Sequence, residues 1–231
     1  MRKFAIVVLI LITAVVVWFQ WTFPTASYRY RLSISVETDG EVHSGSSVIE
    51  VWHRFNPRTL WHAVGTYNDS IHGQAVLVDL GTRGVLVAAL AKQPGGCTVD
   101  ARYLVGRAYE PAVDRKPCVT GYPATIENER ALARKRGPVE LTPDNLPAFI
   151  WFSDKTNPMT AKIAKPEEFA AVIGDSARLA SAQIEITDDP VVIDLDKRLP
   201  LYKSLPPPPP VDSVTLPNGV SLNWAKFIQG E

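Results

Sequence analysis

The stretch from Tyr28 to Val51 leaves this chain little conformational freedom. Tyr28, Tyr30, Leu32, Ile34 and Val36 alternate with Arg29, Arg31, Ser33, Ser35 and Glu37. Successive side chains of a strand point to opposite faces, so this is a strand with one face buried. Asp39-Gly40 follows it, a two-residue turn that tolerates positive φ and joins antiparallel strands. The turn sets Thr38 opposite Glu41. Counting outward, Leu32 faces Ser47, Tyr30 faces Ile49, Tyr28 faces Val51 and Arg29 faces Glu50. That register pairs apolar with apolar and base with acid, whereas a one-residue slip mixes the faces. The run His43-Ser44-Gly45-Ser46-Ser47 inside it reads as strand. A serine nucleophile needs an exposed, strained G-x-S-x-G turn, and the second glycine is missing. Gly45 and Ser47 lie under Ile34 and Leu32, small residues where another element packs closely.

The rest of the chain continues in short pieces. Residues 56 to 72 read as a loop, with Asn56-Pro57 and Asn68-Asp69 as turn signals. Residues 73 to 90 hold two apolar runs around Gly81-Thr82-Arg83-Gly84, a second hairpin whose strands are expected to be central and covered on both faces. Tyr103, Leu104 and Tyr109 fall in a short helix. A clearer helix starts at Thr125, with Glu127 and Glu129 in its first turns, Arg130, Arg134, Lys135 and Arg136 at its end, and Gly137-Pro138 as its stop. That order of charge complements the helix dipole; a phosphate or headgroup site is the alternative use of the basic cluster. Residues 147 to 152 form a buried strand, Pro166 to Phe169 a first helical turn, and 178 to 187 an alternating strand with Ala180, Ala182, Ile184 and Ile186 inward. Pro206 to Pro210 must run as polyproline II, a stiff spacer of roughly 15 Å or a ligand for an aromatic groove. Residues 214 to 222 fold back around Asn218-Gly219.

The first two dozen residues stand apart. Residues 4 to 19 carry no charge, and extending to Phe23 adds only Gln20 and Thr22 as polar positions. Twenty residues of helix are about 30 Å long, the thickness of a bilayer's hydrocarbon core. Arg2 and Lys3 precede the segment, which places the N-terminus in the cytoplasm and the body outside. A cleaved signal peptide has an apolar core of about 7 to 15 residues. This one is longer and ends in Trp18, Phe19, Trp21 and Phe23, as an uncleaved anchor does.

Few residues offer chemistry. Lys and Arg total 24, as do Asp and Glu, and that balance excludes the concentrated basic face that nucleic acid requires. Cys97 and Cys118 are expected to form a structural disulfide in an oxidising compartment, closing a loop of about 20 residues worth about 3 kcal/mol; two unpaired thiols are the alternative. His43, His53, His62 and His72 are spaced about ten apart, not at the i, i+4 interval that aims two imidazoles at one metal. Glu185, Asp188, Asp189, Asp194 and Asp196 lack the alternate ligands and turn glycine of a calcium loop. No catalytic, cofactor-binding or metal-binding residue is assigned.

The segments YRYRLSISVET, GSSVIEV, AVLVDLG, FIWFSD, TNPMT, AKPEEF, IEITDDPV and KRLPLY together resemble a set of uncharacterised membrane-anchored proteins of Gram-negative bacteria. The resemblance covers most of the exported body and leaves out residues 205 to 231. It implies a compartment but no activity and no site.

The expected architecture is therefore α+β: an antiparallel sheet built from β-hairpins with two or three short helices, preceded by one N-terminal transmembrane helix. The divisions are an anchor over 1–24, an exported domain over 25–204, and a polyproline spacer with a hairpin tail over 205–231. The expected role is a non-catalytic binding or assembly module on the periplasmic side of the inner membrane, held there through residues 4–23 and meeting an envelope protein partner. The alternative is an envelope hydrolase or metal-dependent enzyme using His53, His62 or His72 with Asp69 or Asp79.

Overall fold

A computed structural model describes residues 2–56, 66–91, 98–110, 125–204, 214–215, 221–222 and 227–229. Helix α1 (Arg2–Thr22) leads into β1 (Thr25–Thr38) and β2 (Glu41–Asn56). There follow β3 (Thr66–Gln74), β4 (Val76–Asp79), β5 (Val85–Ala89), α2 (Leu104–Tyr109), α3 (Ile126–Leu132), β6 (Val139–Glu140) and β7 (Ala148–Phe152). The chain continues through β8 (Ala161–Ile163), α4 (Phe169–Val172), β9 (Arg178–Thr187), α5 (Leu195–Arg198), β10 (Val214–Thr215), β11 (Ser221–Leu222) and β12 (Ile228–Gln229). The protein is α+β, with antiparallel sheets and few helices.

The first hairpin has the register that the turn dictates. Thr38 pairs Glu41, Tyr30 pairs Ile49 and Tyr28 pairs Val51. Asp39 and Gly40 both take positive φ, 55° and 80°, as this turn class demands. Arg29 Nε lies 3.2 Å from Glu50 Oε1, and Ser35 and Ser44 share a 2.8 Å hydrogen bond on the outer face. The hairpin is the centre of a six-stranded sheet ordered β12-β3-β2-β1-β9-β6. Its inner face carries Tyr30, Ile34, Val36, Ile49 and Val51, each fully buried. A second sheet, β4-β5-β7-β8, is almost wholly apolar and packs on that inner face. At Gly45 the two sheets approach closely: a Cβ there would sit 2.2 Å from the carbonyl oxygen of Leu77 in β4.

Several expectations need correction. The loop over 56–72 contains most of β3, which pairs with β2 from Asn56↔Thr66 to Ile49↔Gly73. Asp69 interrupts the apolar alternation there, so the strand was not visible. β5 is central, but β4 is the edge of its sheet. Ala180 is exposed, because a bulge opposite Ser35/Val36 leaves it unpaired and moves the inward phase to Leu179. Helix α3 stops at Leu132, so Arg134, Lys135 and Arg136 lie beyond it, with Arg136 Nη1 donating to the carbonyls of Ala133 and Lys135. The end of the chain adds to the main sheet: Ile228 pairs Gln74, Ala75 N–H donates to the carbonyl of Phe227, and Phe227 is fully buried.

The apolar N-terminal segment is helical, but its described side chains run unbroken only from Ile6 to Thr22, about 25 Å of helix. Among the described residues no helix is long and apolar enough to cross a membrane. Cys97, Cys118, His62 and the polyproline run lie outside the described residues.

Candidate functional site

Alternation along β2 carries His53 to the same face as Ile49 and Val51, where its imidazole is buried. Pairing with β3 sets Asp69 directly opposite it, and His53 Nδ1 lies 2.8 Å from Asp69 Oδ1. The third member comes from α3. Thr125 caps that helix by accepting the N–H of Asn128. Ile126, Glu129 and Leu132, spaced three apart, therefore share the inward face. Glu129 Oε2 reaches to 3.1 Å from His53 Nε2, with both side chains sealed from solvent. That contact is close enough for an ion pair but is not aligned as a hydrogen bond.

The imidazole is thus held between two carboxylates. Burial alone would lower its pKa, but the hydrogen bond to Asp69, the close Glu129 carboxylate and the charges of both outweigh burial and raise it to about 9. Burial works to raise Asp69, yet the bond to His53 and its charge bring that carboxyl below its usual value. Tyr103 donates to the other oxygen of Asp69 at 3.4 Å. Its own pKa is raised, first by burial and then by the Asp69 charge. Beside it Asp100 holds Arg102 through two contacts of 2.8 and 2.9 Å and caps the short turn before α2. Tyr30 donates to the carbonyl of Ala101 at 2.7 Å from within the core.

Chemically, a protonated imidazole with a carboxylate at each nitrogen can neither accept a proton nor bind a metal. Among the described residues no group of three His, Cys, Asp or Glu side chains could hold a metal ion. Of the other expected participants among the described residues, His72 and Asp79 do not converge here. His43 pairs with Val36 near the hairpin turn, and His72 pairs with Glu50. Asp79 lies at the end of β4, 3.7 Å from Lys155. Asp69 is among the residues the sequence groups with the histidines, whereas Glu129 reads in the sequence only as a charge complementing the helix dipole. The signal available was the three-residue spacing that puts Glu129 between Ile126 and Leu132.

An open groove of about 360 Å³ at this end of the molecule is lined by Thr25, Trp52, Arg54, Asn68 and Ser70, together with His53 and Asp69. Strand alternation sends the side chains of Trp52 and Arg54 outward, opposite to the imidazole of His53. Their exposure agrees, with Trp52 at 47%. The groove and the buried ion cluster therefore lie on opposite faces of the sheet.

No protein-family description, curated protein or solved structure matches this chain.

Proposed function

We propose that this protein is a non-catalytic binding or assembly module of the bacterial envelope, tethered to the inner membrane by α1 with its body in the periplasm. The observation that carries the non-catalytic reading is the double engagement of His53. Among the described residues the one buried histidine, His53, has a carboxylate at each nitrogen. The open groove lies on the other side of the strand. The cluster serves to lock α3 and β3 onto β2.

The tether rests on charge and exposure. Arg2 and Lys3 open α1 ahead of its apolar stretch, the charge order of a segment whose N-terminus stays in the cytoplasm. Phe4, Leu9, Ile10, Leu11, Val15 and Trp18 are each more than half exposed. An apolar helix whose described side chains are this exposed is suited to lipid. A reporter active only in the periplasm, fused to the C-terminus, is expected to report. Activity from a cytosolic reporter at the same place, with none from the periplasmic one, overturns the topology.

A further inference from the structure

We infer that the groove at Trp52 and Arg54 seats the phosphate of a phospholipid headgroup, so that the body rests against the same membrane that holds α1. This deepens the proposed tether and rests on it. Only Phe23 and Pro24 separate the end of α1 from the start of β1. The junction is pinned, because Phe55 N–H donates to the carbonyl of Pro24 at 3.1 Å. Arg54 pairs with Thr25 and Trp52 with Ser27. Arg54 is therefore about 5 Å across the ladder from the first strand residue, and Trp52 about 7 Å further along. A bilayer's headgroup layer is about 5 to 7 Å deep on each side. A helix ending at the hydrocarbon boundary thus delivers this groove to headgroup depth.

The side chains fit that depth. Tryptophan favours the interface, where its ring meets acyl chains and its N–H meets water. A guanidinium matches a phosphate with two parallel N–H donors. Arg54 has no acid partner among the described residues. The nearest acid on its face along β2, Glu50, is held by Arg29. Asn68 and Ser70 add polar groups to the groove wall. A second guanidinium, that of Arg130, is tied to this end through the carbonyl of Thr25 at 3.2 Å.

The test uses the full chain reconstituted in phosphatidylethanolamine–phosphatidylglycerol vesicles. A photoreactive benzoylphenylalanine replaces Trp52 in one variant and Val42 in another. Val42 is on the same face of β2, about 33 Å away, and is exposed. Irradiation is expected to give a lipid adduct at position 52, at least fivefold above that at position 42. Arg54→Glu is expected to reduce the adduct severalfold. A chain that floats with the vesicles after a high-salt wash but gives equal adducts at both positions overturns this inference and leaves the tether standing. A protein adduct in place of lipid at position 52 also overturns it. A chain washed off the vesicles overturns both.

Discussion

Nε2 of His53 on β2 lies 3.1 Å from Oε2 of Glu129 on α3, and both side chains are nearly closed to solvent. With Asp69 at the other nitrogen, this contact joins three elements remote in sequence through one charged ring. A buried ion pair contributes little net stability compared with a well-packed apolar group. Breaking one side of it is costly, because an uncompensated charge stays buried. The cluster fixes position first, and its energetic signature is in its pH dependence.

His53 sets the alkaline limb. Its folded pKa of about 9 lies above its ordinary 6.5. Its contribution is fully present below about pH 6.5 and is lost as pH rises through 9. The loss is expected to reach about 3 kcal/mol. Urea unfolding between pH 6 and 10 measures it, and His53→Ala should flatten the slope. Asp69 acts on the acid side. Its folded pKa is lowered, so its contribution is present above about 3.8 and fades as pH falls below.

Glu129→Gln keeps the shape and removes one of the two charges facing His53. The expected cost is about 2 kcal/mol at neutral pH, less than for an isolated pair because Asp69 remains. The His53 imidazole should titrate at lower pH than in the parent protein. Nitrogen-edited NMR of the ring reads that shift directly, and an unchanged titration would remove Glu129 from the cluster.

Gly45→Ala tests the close approach of the two sheets at that position. The added Cβ would meet the Leu77 carbonyl at 2.2 Å, and backbone cannot step aside as a side chain can. A loss of about 3 kcal/mol or failure to fold is expected. Gly40→Ala meets no neighbour and is limited to the strain of positive φ, about 1 kcal/mol. Thermal melts of the two variants separate the causes.

Ser47→Ala should hold stability or raise it by about 1 kcal/mol. The Ser47 hydroxyl is buried and has no hydrogen-bond partner among the described residues, so its removal deletes a desolvation cost. A clear destabilisation in the same melts would mean that the hydroxyl is satisfied.

Phe227→Ala should cost about 3 to 4 kcal/mol, the usual loss for a fully buried phenylalanine. Its ring lies 6.3 Å from that of Phe152, so the end of the chain closes over the second sheet. Faster hydrogen exchange at Gln74 and Ala75 would accompany the loss.

Local rules sufficed for the first hairpin. Period-two alternation with a turn of fixed geometry sets faces and register without reference to the rest of the molecule. The apolar β5 and β7 and the Thr125 cap followed for the same reason, since each depends on residues within a few positions. Strand β3 was hidden because Asp69 occupies a core-facing place, which makes physical sense only once His53 is opposite. Ala180 was misplaced because a bulge is a property of two strands, not one. Glu129 is an ordinary first-turn acid in its own helix and a core residue only when that helix lies against β2. The docking of Phe227 likewise depends on an exposed edge of β3 far earlier in the chain. Sequence alone determined the elements whose signals are periodic and local. Only the tertiary structure decided which charges would be buried together, because the energy that tolerates a buried charge comes from a partner that sequence distance conceals.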